Sequence, residues 1–77
     1  MTRTEVLRIQ KYLNSKFDST QFTLKKSQSA DDSMEVHLGD EFIGVIYRDE
    51  DEGEVSYAFN MAILEMDLPN AADASLI

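Results

Sequence analysis

The sequence predicts an α+β fold, one N-terminal helix packed on a three- to four-stranded antiparallel sheet. Three observations point to it. Thr2 is followed three positions later by Glu5, which is a capping box, and apolar residues then recur at helical spacing. Met34 to Leu38 and Phe42 to Arg48 carry strand patterns. Between them stands Gly39-Asp40, a two-residue hairpin turn in which glycine supplies the positive φ that such turns need.

The helix is predicted to bury Val6, Ile9, Leu13 and Phe17 on one face, with Arg8, Lys11 and Lys16 on the others. It should stop between Asn14 and Asp18, where Asn, Ser and Asp cluster. Phe22-Thr23-Leu24-Lys25 alternates and reads as a first strand, and the adjacent Lys25 and Lys26 suit the edge of a sheet. A polar loop from Ser27 to Ser33 leads to the second strand. After the third, the acidic run Asp49 to Glu54 reads as a loop, and a fourth strand runs from Val55 to about Leu64. The topology is an αββββ meander.

An unbroken ladder from the Gly39-Asp40 turn sets Val36 opposite Ile43 and Met34 opposite Val45. Met34, Val36, Leu38, Ile43, Val45 and Tyr47 then share the face under the helix, with Val55, Tyr57, Phe59, Met61 and Ile63 in step. The other face takes Phe42, Gly44 and Ile46 beside Glu35, His37, Ser56, Ala58 and Asn60. With no second helix in the pattern, that leaves Phe42 and Ile46 uncovered.

At 77 residues the chain holds one domain, expected over residues 1–68, with a flexible tail over 69–77. A core of this size rarely supplies more than about 3–5 kcal/mol net, which makes association a live route to stability. Without cysteine there is neither a disulfide nor a thiolate metal site. No signal pattern or membrane-length apolar run is evident, so the expected location is cytoplasmic. Fifteen acidic against seven basic residues give a net charge of −8. Nucleic-acid affinity rests on Lys and Arg meeting phosphates, and an anionic membrane repels a chain of this sign.

Residue chemistry points away from an enzyme. His37 is the only histidine, and catalysis by it needs a positioned partner; a solvated strand histidine is the simpler reading. Asp49-Glu50-Asp51-Glu52-Gly53-Glu54 starts like a calcium loop, yet its glycine comes one place early and the closing bidentate Glu is missing. Gly39, Gly44 and Gly53 stand apart, so they make no phosphate loop; each fits a turn or a close approach of strands. No cofactor, metal site or small-molecule ligand is expected.

Two resemblances reach further. Helix, strands and the string Met34 to Gly44 look like the front of a double-stranded-RNA-binding domain. That family grips phosphate with a Lys-rich second helix, where this chain has Asn60-Met61-Ala62-Ile63-Leu64-Glu65-Met66-Asp67. The resemblance therefore implies shared topology without the activity. More of the chain is covered by Tyr12-Leu13, Gly39-Asp40-Glu41-Phe42-Ile43-Gly44, the acidic run, and Phe59 to Leu68 with Met61-Ala62-Ile63-Leu64. These resemble a family of short alphaproteobacterial proteins catalogued as domain of unknown function 3126, which implies a small bacterial protein and brings no site residues.

The functional expectation is a protein-interaction module, a homodimer or accessory subunit, binding through Phe42, Gly44 and Ile46 with His37 beside them. Its partner is a protein rather than nucleic acid or membrane. The alternative is an acidic regulator whose Asp49–Glu54, Asp31 and Asp32 occupy a basic nucleic-acid-binding surface. A sheet edge offers a further route, by strand addition.

Overall fold

The computed structural model describes residues 1–27 and 32–72. Most of the loop expected from Ser27 to Ser33, Asp31 included, and the chain end from 73 lie outside the described residues. One helix, α1 (Arg3–Lys16), precedes four strands, β1 (Phe22–Lys26), β2 (Ser33–Leu38), β3 (Glu41–Asp51) and β4 (Glu54–Met61). The strands pair antiparallel in sequence order. A single 3₁₀ turn, Glu65–Asp67, follows β4. The described residues therefore carry a fourth strand and an acidic turn where an RNA-binding domain of the resembling kind continues into its basic helix.

The helix starts as its capping box dictates. The Thr2 hydroxyl accepts from the Glu5 amide at 3.1 Å, and the Glu5 carboxylate accepts from the Thr2 amide at 2.9 Å. It ends with Phe17 as cap and Asp18 in the left-handed region (φ 50°), while the Ser19 amide returns to the Asn14 carbonyl at 2.8 Å. Phe17 is exposed rather than on the buried stripe, because at the cap the backbone has left the helical path; its ring meets Phe22 at 5.4 Å.

Two helix amides seat α1 on the outer edge of β1. Asn14 bonds Phe22 twice, Nδ2 donating to the carbonyl at 3.2 Å and Oδ1 accepting from the amide at 2.8 Å. Gln10 Oε1 accepts from the Leu24 amide at 3.1 Å. The spacing allows this, since four helical residues advance about 6 Å and two strand residues about 6.6 Å. The edge position expected from Lys25 and Lys26 is thus confirmed, with its backbone groups at Phe22 and Leu24 satisfied by side chains.

The β2–β3 ladder departs from the unbroken register. Leu38 pairs with Glu41 and His37 with Phe42, but Val36 pairs with Gly44 and Met34 with Ile46. Ile43 is the extra residue of a β-bulge, and beyond it every side chain of β3 changes face. Gly44 and Ile46 therefore lie under the helix, and Ile46 is only 3% exposed, within a core of Ile9, Leu13, Phe22, Leu24 and Val36. Val45 and Tyr47, expected inside, face outward. The bulge keeps Phe42 outside while Ile43 still packs against the core. It buries the larger Ile46 in place of Val45 and leaves the Tyr47 hydroxyl in reach of water.

On the far side Ile46 faces Phe59, and the Phe59 ring extends over Gly44. A Cβ at Gly44 would stand 2.3 Å from the Asn60 carbonyl oxygen and 2.8 Å from Phe59 Cε1, so the close approach of strands read from the sequence is what holds this glycine. The acidic run is not a loop. β3 continues to Asp51, and only Glu52-Gly53 turn, with φ of 51° and 82°. Positive φ at both positions marks the tight turn whose twist matches its strands.

Two substitutions test this frame. Asn14→Ala leaves the Phe22 amide without its partner and should lower stability by about 1–3 kcal/mol in urea unfolding. Gly44→Ala must push β3 from β4 or displace the Phe59 ring. It should cost more than Asn14→Ala; an unchanged denaturation midpoint would exclude the contact.

Candidate functional site

The bulge divides the expected binding residues. Ile46 is core and Gly44 is buried beneath Phe59, both on the helix side of the sheet. Phe42 and His37 remain together on the outer face. Phe42 is 53% exposed, and its ring meets the His37 imidazole edge-on at 5.6 Å. His37 is not the solvated histidine expected: its side chain is 12% exposed and its Nε2 lies 3.0 Å from Glu35 Oε1. Strand alternation puts Glu35 and His37 on one face, and the aromatic neighbour covers them.

Beside Phe42 lies an open depression of roughly 720 Å³ that joins outer-face residues of β3 to Met61 and the segment after β4. Phe42, Tyr47, Met61, Ile63 and Leu64 are the large side chains of its apolar lining, and Glu41 and Asp67 line it as well. The apolar side chains after β4 pack little: Ile63, Leu64 and Leu68 are exposed, and Met66 is 85% exposed. β4 ends at Met61, short of the expected Leu64, so Ile63 and Leu64 leave the sheet as separate side chains.

A second opening lies on the helix side. Because α1 is tied to β1, the sheet beneath β4 is left partly bare, as a groove of roughly 550 Å³ lined by Ile9, Tyr12, Ile46, Tyr57 and Phe59. Its polar end is Glu5. One carboxylate oxygen closes the capping box, and the other accepts from Arg48 Nε at 2.9 Å and from the Tyr57 hydroxyl. One side chain thus ties the helix N-terminus to β3 and β4.

These bonds favour the charged carboxylate. The Thr2 amide first, then the Tyr57 hydroxyl and the Arg48 guanidinium, hold Glu5 at about 2, below its usual 4.5. The same carboxylate is the main reason that Arg48 and Tyr57 are both raised. A carboxylate lowered in the folded state stabilises above its unfolded value, and that contribution goes as pH falls from about 4.5 to about 2. For Tyr57, raised in the folded state, the contribution is present below 10.0 and goes as pH rises past it.

The acidic hairpin of β3 and β4 exposes Asp49, Glu50, Asp51, Glu52 and Glu54, and the described residues contain no group of three or more His, Asp or Glu placed to hold a metal ion. No helix among them is long and apolar enough to cross a membrane. Sequence reading missed two features. The Asn14 and Gln10 clamp had no signal, since exposed amides occur on any helix. The apolar strip after β4 did have one: Val55 to Leu64 is the longest stretch without a charged residue, ten positions in a chain with 29% charged residues.

Glu5→Gln checks the tether. Its melting temperature should lie furthest below that of the unaltered chain near neutral pH, and the gap should close as pH falls from 4.5 to about 2. A gap independent of pH would show that Glu5 acts through packing alone.

Comparison with known proteins places the chain. No curated protein and no solved structure matches it. The family model described as "Protein of unknown function (DUF3126)" matches residues 5–67, which takes in the Glu5 tether, all four strands and the turn that follows them. The chain accordingly belongs to the DUF3126 family.

Proposed function

We propose that this chain is a protein-interaction module, an accessory or regulatory subunit that binds its partner in the depression beside Phe42. The observation that carries the reading is the gathering of Phe42, Tyr47, Met61, Ile63 and Leu64 around one opening. Isolated exposed apolar residues are ordinary; a contiguous group edged by polar ones marks a contact surface. Glu41 and Asp67 in the same lining, on a chain of net charge −8, select an apolar partner surface that also carries basic groups. In this arrangement the apolar side chains supply affinity and the acidic pair supplies orientation and encounter rate.

The test compares tagged chains expressed in the native host. A partner should be recovered with the unaltered chain and lost with Phe42→Ser/Leu64→Ser, both at exposed positions whose change leaves the melt near that of the unaltered chain. Recovery of the same proteins by both would refute this surface.

A further inference from the structure

We infer that the free edge of β4 pairs with β4 of a second copy, in antiparallel order about a two-fold axis at Ala58, to make one continuous eight-stranded sheet. This contact shares Met61 with the depression beside Phe42 but rests on the backbone of the β4 edge, not on the Phe42 reading. The argument begins with the backbone. The β3–β4 hairpin closes on Asp51 and Glu54 around its two-residue turn, and bonded pairs alternate from there. Ser56, Ala58 and Asn60 therefore spend their backbone groups on β3. Val55, Tyr57, Phe59 and Met61 turn theirs outward, and among the described residues nothing bonds to them there.

The two edges of the sheet contrast. β1 carries Lys25 and Lys26, and Asn14 and Gln10 occupy its backbone. Soluble proteins blunt an open edge with charge, proline, a bulge or a cover. From Val55 to Met61 β4 has no charge and no proline, its pairing with β3 is unbroken, and α1 sits at the other edge. An edge so bare is a template for another strand.

Self-complementarity points to the second copy as that strand, and the absence of charge along it permits the pairing. Two chains of −8 repel wherever acidic surfaces meet, and Val55–Leu64 is the longest segment that can meet itself without that penalty. One register uses all four outward residues: Val55 against the partner's Met61, and Tyr57 against the partner's Phe59. It sets Glu54 opposite the partner's Ala62, so the two Glu54 carboxylates lie at opposite ends. At the axis Ala58 meets the partner's Ala58, small against small, on the outer face. On the helix side Tyr57 and Phe59 of both copies form one aromatic row, which extends each groove across the junction.

Light scattering of the full chain over micromolar concentrations should give twice the 8.8 kDa chain mass. Ala58→Glu sets two carboxylates together at the axis and should halve the mass; Ala58→Lys should do the same. Mixing the two variants should restore the double mass. Ala58 is exposed in the single chain, so circular dichroism of each variant should match the unaltered protein. Amide exchange gives a reading without substitution, in which Tyr57, Phe59 and Met61 gain protection as concentration rises. A single-chain mass at every concentration, a double mass retained by Ala58→Glu, or fast exchange at those three amides throughout would each overturn the inference. Loss of this dimer leaves the Phe42 reading intact, and loss of the Phe42 partner leaves the dimer intact, because Ala58 does not line the depression and Phe42 and Leu64 lie outside the β4 pairing.

Discussion

The placement of the helix depends on three hydrogen bonds to the outer edge of β1. Asn14 treats Phe22 as a neighbouring strand would, filling its amide and carbonyl together, and Gln10 repeats half of this at Leu24. An edge occupied in this way at Phe22 and Leu24 is shielded from another strand there, and a helix held over it leaves the sheet beneath β4 partly bare. The groove over Tyr57 and Phe59 and the open backbone of β4 both follow from that asymmetry. Ile9 and Leu13 then bury their side chains where the amides have set them, each contributing about 1.5–3 kcal/mol.

Ile43 provides the second constraint. One inserted residue lets β3 serve both faces, with Phe42 and Tyr47 outside and Ile46 inside. It also fixes Gly44 at the place where the Phe59 ring crosses the strand. Without the insertion the helix would rest on Val45 and Tyr47, and Ile46 would be left in water.

Glu5 joins the two ends of this arrangement. It caps the helix and receives Arg48 and Tyr57 from the two strands furthest from the clamp. The helix is therefore held by amides at one side and by a carboxylate at the other, with the groove between them. A charged tether beside an apolar groove also loses its contribution in acid, since protonating Glu5 removes the negative charge shared by three donors.

By itself the sequence determined the helix, its capping box, the Gly39-Asp40 turn and the order of the strands. Each depends on residues a few positions apart, through backbone geometry and short-range hydrogen bonds. For Gly44 the sequence offered a turn or a close approach of strands, and its contact with Phe59 and Asn60, fifteen and sixteen residues on, decided for the second. Which face Ile46 occupies was not legible, because a bulge is settled by competition between Val45 and Ile46 for the space under a helix more than thirty residues earlier in the chain. The acidic run read as a loop because composition reports solvent exposure, which a projecting hairpin shares. Only the tertiary structure decided that the helix closes β1 and leaves β4 bare, since Asn14 and Gln10 find their acceptors and donors only once the first strand has folded back against them.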